Sequence, residues 1–262
     1  MTNDDGIRSP GLWAAAAALE QLGFVTVAAP REQSSGTGRS LPSNSDGRID
    51  LQQVQVNGRT WNVHAIGGTP AQAVLHGVLE ILPQKPDLVV SGINYGENLG
   101  TGITVSGTVG AALEGAALGI PSIAISLETQ IEEHMSYSES VDFSTAAYFT
   151  AYFARQLLAR RLPADVDVLK IDLPADATPQ TPWEITRLSR VRFYEALPPE
   201  RETWDQPGRM GYQLSPHWQQ APAGSDVHAV RIKRVISVTP LSLDLTTRTP
   251  FETVEATLRQ DS

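Results

Sequence analysis

The chain has 262 residues, a net charge of −9 and no cysteine, with 41% hydrophobic residues. That length and apolar content suit one large α/β domain or a domain with an appendage, and they exclude wholesale disorder. The negative balance argues against a general electrostatic grip on DNA, RNA or an anionic membrane. The missing thiols exclude disulfides, thiolate metal sites and a cysteine nucleophile, and they agree with a cytoplasmic setting.

In chain order, strand-like and helix-like runs alternate. Thr2-Asn3-Asp4-Asp5-Gly6 opens the chain, and an alanine-rich helix is expected over Ala14–Leu22, ended by Gly23. Phe24–Ala29 reads as a short strand that stops at Pro30, followed by a polar loop from Glu32 to Ser45. Ile49–Val56 and Trp61–Ile66 read as strands paired across Asn57-Gly58. Thr69 and Pro70 open a helix over Ala71–Leu82. Asp87–Val90 is a compact buried strand, and Ser91–Gly107 a glycine-rich loop. A helix over Thr108–Leu118, a buried strand over Ser122–Leu127, a helix over Phe143–Arg160 and a strand over Val166–Leu173 follow. This alternation predicts a Rossmann-like, mostly parallel sheet with helices on both faces.

From Pro174 proline becomes dense. Trp183–Arg192 and Val227–Thr239 read as strands within a strand- and loop-rich C-terminal extension, and Phe251–Leu258 as a closing helix. The expected organisation is an α/β core over 1–173, an excursion suited to subunit contacts over 174–236, and a return to the core over 237–262. No apolar run is long enough to span a membrane. Only Met1 and Thr2 precede Asn3, where a doubly wound sheet carries a strand. The expectation is that this strand is reduced or missing, or that the true start lies upstream, at a cost of about 1.5–3 kcal/mol for each buried side chain forgone.

Ligands of open α/β sheets sit beyond the carboxyl ends of the strands. Three polar loops fall there: Asn3–Gly6 with Asp4 and Asp5, Gln33–Ser40 with Ser34 and Ser35, and Ser91–Gly107 with Asn94 and Asn98. The paired aspartates either cap the following helix or ligate a hard divalent cation. Ser106-Gly107-Thr108 at a helix start either caps that helix or cradles an oxyanion. Taken together, a metal and a phosphate cradle predict phosphate-ester hydrolysis. No Walker A loop and no G-x-G-x-x-G is present, which counts against an NTPase or a dehydrogenase. His64, His76, His134, His217 and His228 lie outside these loops and read as non-catalytic. Arg201, Arg209 and Arg231 read as surface pairs. Trp204, Tyr212 and Trp218 suit either base stacking or a subunit interface.

The motifs Thr2-Asn3-Asp4-Asp5-Gly6-Ile7, Ser91-Gly92-Ile93-Asn94-Tyr95-Gly96-Glu97-Asn98-Leu99-Gly100 and Ser106-Gly107-Thr108-Val109-Gly110-Ala111-Ala112-Leu113-Glu114-Gly115 resemble those of the SurE family of survival-protein nucleotidases. Gly68-Thr69-Pro70-Ala71 and Ser237-Val238-Thr239-Pro240-Leu241 extend the resemblance over nearly the whole chain. It implies a 5′-nucleotidase that uses one divalent metal ion per subunit, Mg²⁺ or Mn²⁺, to hydrolyse nucleoside 5′-monophosphates, with 3′-monophosphates left open as a second substrate. It further implies a homodimer or homotetramer. A broader phosphomonoesterase or exopolyphosphatase, or a non-catalytic nucleotide-binding protein on the same fold, is the alternative.

Carried over by position, the metal ligands are Asp4, Asp5, Ser35 and Asn94, and the phosphate-binding residues are Asn98, Ser106, Gly107 and Thr108. Asp4 and Asp5 are also the catalytic candidates, with the proton-handling one left open. Ser35 is chosen over Ser34 because the ungapped alignment of Ala29–Ser40 with the family pattern places it directly before Gly36. The chain departs from that pattern at Val105, where tyrosine is frequent, at Gln72, where aspartate is common, over Lys170–Pro174, which is usually richer in asparagine, and at Arg234-Val235-Ile236. These departures bear on substrate preference and subunit contacts.

Overall fold

The computed structural model describes residues 1–56, 58–138 and 140–259. Asn57, half of the expected turn between the first two long strands, lies outside the described residues. Helix α1 spans Pro10–Leu19, with proline at the first helical position. It starts earlier than the alanine run suggests, because Pro10 is pre-organised for a first turn. Strand β1 is only Ala28–Pro30. Strands β2 (Ile49–Val56) and β3 (Arg59–Ile66) form an antiparallel hairpin. Helix α2 covers Pro70–His76 under a capping box in which the Thr69 side chain and the Gln72 side chain satisfy each other's backbone N–H groups. A π-helical turn, Gly77–Ile81, continues it. Gln72, a departure from the family pattern, therefore serves to start a helix.

Strand β4 runs from Val89 to Tyr95 and so continues into the stretch read as loop. Its wall positions are occupied by Ser91, Gly92 and Asn94, which masked the strand from a search for apolar runs. Helix α3 (Gly107–Ala117), strand β5 (Ser122–Leu127), helix α4 (Ser144–Ala159) and strand β6 (Val168–Leu173) lie within two residues of expectation. Beyond them come β7 (Trp183–Ile185), β8 (Tyr194–Leu197), β9 (Gly211–Leu214), β10 (Ile236–Leu241) and helix α5 (Phe251–Leu258). The expected strand Val227–Thr239 is corrected: its first half, His228–Lys233, is π-helical, and only its second half is extended. Arg234, with φ of 56°, makes the left-handed turn between them.

Strand pairing runs β2-β3-β1 in one part of the sheet and β4-β5-β6-β10-β7 in the other. Met1 and Thr2 occupy the lane between these parts. The Thr2 N–H donates to Val90 O at 3.0 Å, and the Gly92 N–H donates to Thr2 O at 3.0 Å. On the other side the Ala28 N–H donates to Met1 O at 3.0 Å, and the Met1 amine donates to Thr26 O at 2.7 Å. Met1 and Thr2 thus pair on both edges of this lane and deliver Asn3, Asp4 and Asp5 at its carboxyl end. A hollow of about 350 Å³ opens at its amino end, lined by Leu22, Phe24, Val25, Val78 and Leu88. Burial lowers the Met1 amine from 8.0 to about 5.

The core is continuous with this frame. Phe149, Phe153, Ile123, Ile125 and Ile171 pack α4 against the sheet. Leu12, Trp13 and Trp61 join α1 to β3, with the Trp13 Nε1–H donating to Ile7 O at 2.9 Å. Helix α1 approaches β4 closely enough that a Cβ on Gly11 would lie 2.2 Å from the Ile93 carbonyl oxygen. Gly23, beyond the helix, has no atom within 4 Å of its own Cβ position. Alanine for glycine stabilises an open helix by about 1 kcal/mol, whereas overpacking costs about 1–3 kcal/mol. Gly11→Ala is therefore expected to lower the chemical-denaturation midpoint clearly, and Gly23→Ala to leave it within experimental error or raise it.

Candidate active site

Asp4 and Asp5 lie just beyond Met1 and Thr2 and are 4% and 2% exposed. Burial raises the Asp4 carboxyl above its ordinary value. The Thr108 hydroxyl and the backbone N–H groups of Asp4, Thr108 and Gly107 act against that rise. Burial raises Asp5 well above the ordinary value, and the charge of Asp4 raises it further; the Tyr95 N–H and the Gln33 amide only partly offset this. Two adjacent carboxyls in this state favour a bound cation, because a divalent ion would restore both charges at once.

The surrounding side chains present oxygen to the same place. The Asn94 amide donates from Nδ2 to Tyr95 O and Gly96 O, at 3.0 and 2.6 Å. That leaves its Oδ1 turned to the site, where it accepts from the Thr108 hydroxyl at 3.2 Å. The Thr108 hydroxyl also bonds to Asp4 Oδ1. The Gln33 amide reaches both Asp5 Oδ1, at 3.4 Å, and Ser35 Oγ, at 3.2 Å. Ser34 instead donates its N–H to the Asp4 carbonyl, and its hydroxyl turns back to Glu32 O. The Ser35 hydroxyl thus shares the Gln33 amide with Asp5, whereas the Ser34 hydroxyl turns away. Carboxylate, amide and hydroxyl oxygens form a hard donor set that fits Mg²⁺ or Mn²⁺. Among the described residues no cluster of three or more His, Asp or Glu side chains exists, so the neutral oxygens are needed to complete such a sphere.

Helix α3 points its N-terminus at Asp4. Ser106 is its N-cap, with Oγ accepting the Val109 N–H at 3.1 Å. The first N–H groups of a helix have no partner within it, and those of Gly107 and Thr108 face the Asp4 side. A Cβ at Gly107 would lie 2.7 Å from Asp4 Cβ, so glycine lets the helix end meet the carboxylate. Ser106 closes the helix, and the next two amides turn to the Asp4 carboxylate rather than into the helix.

Asn98 is fixed from three directions. Its N–H donates to Asp172 Oδ1 at 2.7 Å, its carbonyl accepts from Lys170 Nζ at 2.8 Å, and its side-chain Nδ2 donates to Ser126 Oγ at 2.9 Å. Lys170 also pairs with Asp172 and with Asp226. Asp226 in turn accepts the Gly100 and Ser189 N–H groups at 2.9 and 2.8 Å. All three charged side chains are fully buried. Burial would lower the Lys170 ammonium, but the two carboxylates outweigh it and hold it up. Burial pushes Asp172 to about 6, against the pull of Lys170. Lys170 and Asp172 are departures from the family pattern, and they serve to hold the Asn98 loop on β6.

A cavity of about 290 Å³ opens over these groups, lined by Asp4, Ser35, Asn94, Asn98 and Ser106 on one side. Its other wall is His134, Tyr194 and Tyr212. The rings of His134 and Tyr212 stack at 6.0 Å and 14°, joined by a 3.0 Å bond between Nδ1 and Oη, and burial lowers the imidazole. His134 and Tyr194 were not legible as site residues, because they come from a loop and a hairpin far away in sequence. His228 does not line this cavity. Arg231 is not a surface pair: it bridges the buried carboxylates of Glu97 and Glu128. Trp204 is 94% exposed and remote from the site wall.

Two consequences are measurable. Lys170→Met leaves two buried carboxylates facing each other, so it is expected to cost about 3–5 kcal/mol of stability by urea denaturation. Burial also raises Glu97 from 4.5 to about 7. A carboxyl whose folded value lies above its unfolded one penalises the fold as pH rises through that window. The melting-temperature difference of wild type minus Glu97→Gln, measured without metal, is therefore expected to decline between pH 4.5 and 7; a constant difference contradicts this.

Comparison with known proteins agrees with this geometry. A family model described as survival protein SurE matches residues 1–195. A protein of Thermococcus gammatolerans named 5′-nucleotidase SurE is 41% identical over 263 residues, covering 100% of this chain and 96% of that protein. One of the same name from Archaeoglobus fulgidus is 42% identical over 257 residues, covering 97% and 95%. The crystal structure of the SurE protein from Aquifex aeolicus superimposes with a TM-score of 0.74 at 32% identity, covering 98% of each chain. With its motifs, its fold and its full-length relatives in agreement, the chain belongs to the SurE family.

Proposed function

We propose that this protein is a divalent-metal-dependent 5′-nucleotidase that hydrolyses nucleoside 5′-monophosphates to nucleoside and phosphate. The observation that carries this reading is the meeting of Asp4 and Asn94 with the N-terminus of α3 at one cavity, with the Asp5 carboxyl directly behind Asp4. The relatives' name, 5′-nucleotidase, supports the substrate class.

Asp4, Asp5, Asn94 Oδ1 and Ser35 Oγ are the groups that would hold the cation. When bound, Mg²⁺ or Mn²⁺ supplies Lewis-acid polarisation of the phosphoryl group and acidifies water. The Gly107 and Thr108 amides and the Ser106 hydroxyl bind phosphoryl oxygens, aided by the helix dipole. The Asn98 side chain contributes a further contact, and the Lys170–Asp172 pair keeps it in place before substrate arrives. Such preorganised donors act where charge develops in the transition state. The His134–Tyr212 wall limits water and leaves room for the nucleoside beyond the phosphate. The arm over 174–236 carries exposed Trp204 and Met210 and is suited to holding a homodimer or homotetramer together.

Phosphate release from AMP is expected with Mn²⁺ or Mg²⁺ and to vanish with EDTA. Asp5→Asn is expected to lower kcat/KM by about a hundredfold or more. A folded wild-type protein that releases no phosphate with either metal from any nucleoside monophosphate contradicts the proposal. Because burial raises both aspartates and the charge of Asp4 raises Asp5 further, Mn²⁺ binding is expected to expel protons and to tighten as pH rises. Calorimetry in two buffers of different ionisation enthalpy reads that release directly; identical heats contradict it.

A further inference from the structure

Glu97 lies in the wall of the cavity and is 3% exposed. Its Oε1 faces the Arg231 guanidinium at 3.3 Å. Its Oε2 is buried and has no hydrogen-bond partner among the described residues. A buried carboxylate oxygen without a donor is costly, so such an atom in a cavity wall marks a place for a donor on a ligand. Arg231 is not free to supply a second bond. It is also bound to Glu128, and its guanidinium lies over the rings of Phe193, at 5.6 Å, and Trp218, at 5.3 Å. Arg234 takes the other oxygen of Glu128 at 2.7 Å. The Tyr194 phenol stands beside the carboxylate, and burial together with the Glu97 charge pushes it up. Tyr194 is held edge-on by Phe193 at 4.8 Å and by Tyr212 at 5.6 Å.

The position of Glu97 along the chain decides which donor it meets. It directly precedes Asn98, and consecutive Cα atoms are about 3.8 Å apart. Both line the same cavity, so Glu97 stands beside the proposed phosphate contact, where the sugar adjoins the phosphate of a nucleotide. We propose that Glu97 is the sugar-recognising residue of this site: its carboxylate accepts hydrogen bonds from the vicinal hydroxyls of a ribonucleoside, with the Tyr194 phenol beside them. This rests on the nucleotidase reading and adds to it a substrate class, ribonucleotides in preference to deoxyribonucleotides. A site built around such an acceptor rejects analogues that lack the donor, because the acceptor is then left unpaired.

The test has two readouts on the full-length protein. The first is kcat/KM for AMP, 2′-deoxy-AMP and 3′-deoxy-AMP with Mn²⁺. The second is calorimetric binding of adenosine, 2′-deoxyadenosine and 3′-deoxyadenosine, which needs no catalysis. Wild type is expected to prefer the full ribose by about tenfold or more in both. In Glu97→Ala the preference is expected to fall to within about twofold of unity, with Glu97→Gln intermediate because it keeps one acceptor. GMP and IMP are run beside AMP, since a carboxylate also fits the N–H edge of guanine. Equal handling of ribose and deoxyribose by wild type, a preference that survives in Glu97→Ala, or one that follows the base overturns the proposal. Selective nucleoside binding without phosphate release would overturn the nucleotidase reading and leave the sugar site standing; phosphate release without sugar preference does the reverse.

Discussion

Two neighbouring carboxylates are held out of water within a few residues of the chain start. Left alone, such a pair is repulsive and each member carries a desolvation penalty, which is why both Asp4 and Asp5 take up protons more readily than exposed aspartates. Among the described residues no cationic side chain neutralises them. The groups that face them are the Thr108 hydroxyl, the Gln33 amide, the Tyr95 N–H and the N-terminal amides of α3. These soften the penalty without abolishing it. A fold that kept this arrangement for stability alone would be better served by an apolar pair. The arrangement makes sense as a cation site, with the energetic debt repaid on binding.

The rest of the molecule can be understood as what keeps that pair in register. Met1 and Thr2, bonded on both edges, set where the aspartates emerge. Strand β4 carries Asn94 past them, and β5 and β6 supply Ser126, Lys170 and Asp172, which anchor Asn98. Asp226, from the arm, ties the same network to the loops around Gly100 and Ser189. Damage to the buried Lys170 cluster would therefore move the Asn98 loop and loosen the arm together. The two parts of the chain that look separate in composition are joined through one ionic cluster.

Much of this was legible in the sequence, for physical reasons that differ by residue. Asp4 and Asp5 form an adjacent carboxylate pair before a helix, and Asn94 and Ser106–Thr108 stand in a glycine-rich stretch after an apolar run, so residue type and position pointed to them. Ser35 could be chosen over Ser34 only through the resemblance, and it is Ser35 whose hydroxyl meets the Gln33 amide beside Asp5. Strand β4 was cut short because its last half is lined by polar and glycine residues that face the site. The segment before β10 was misread because Val227–Ile232 has the β-branched content of a strand, while tertiary packing of Val227 and Val230 against Phe193 makes it helical. Glu97, His134, Tyr194 and Arg231 carry no local signal. They meet only because an arm from the last third of the chain folds back over the cavity.

The most direct test of the account is where a cation binds. Crystals grown with Mn²⁺ and measured at the manganese absorption edge would place it without reference to activity. One anomalous peak per subunit is expected, about 2.0–2.4 Å from carboxylate oxygens of both Asp4 and Asp5, with Asn94 Oδ1 and Ser35 Oγ in its sphere. A peak elsewhere, or none at these carboxylates under saturating Mn²⁺, would contradict the central claim.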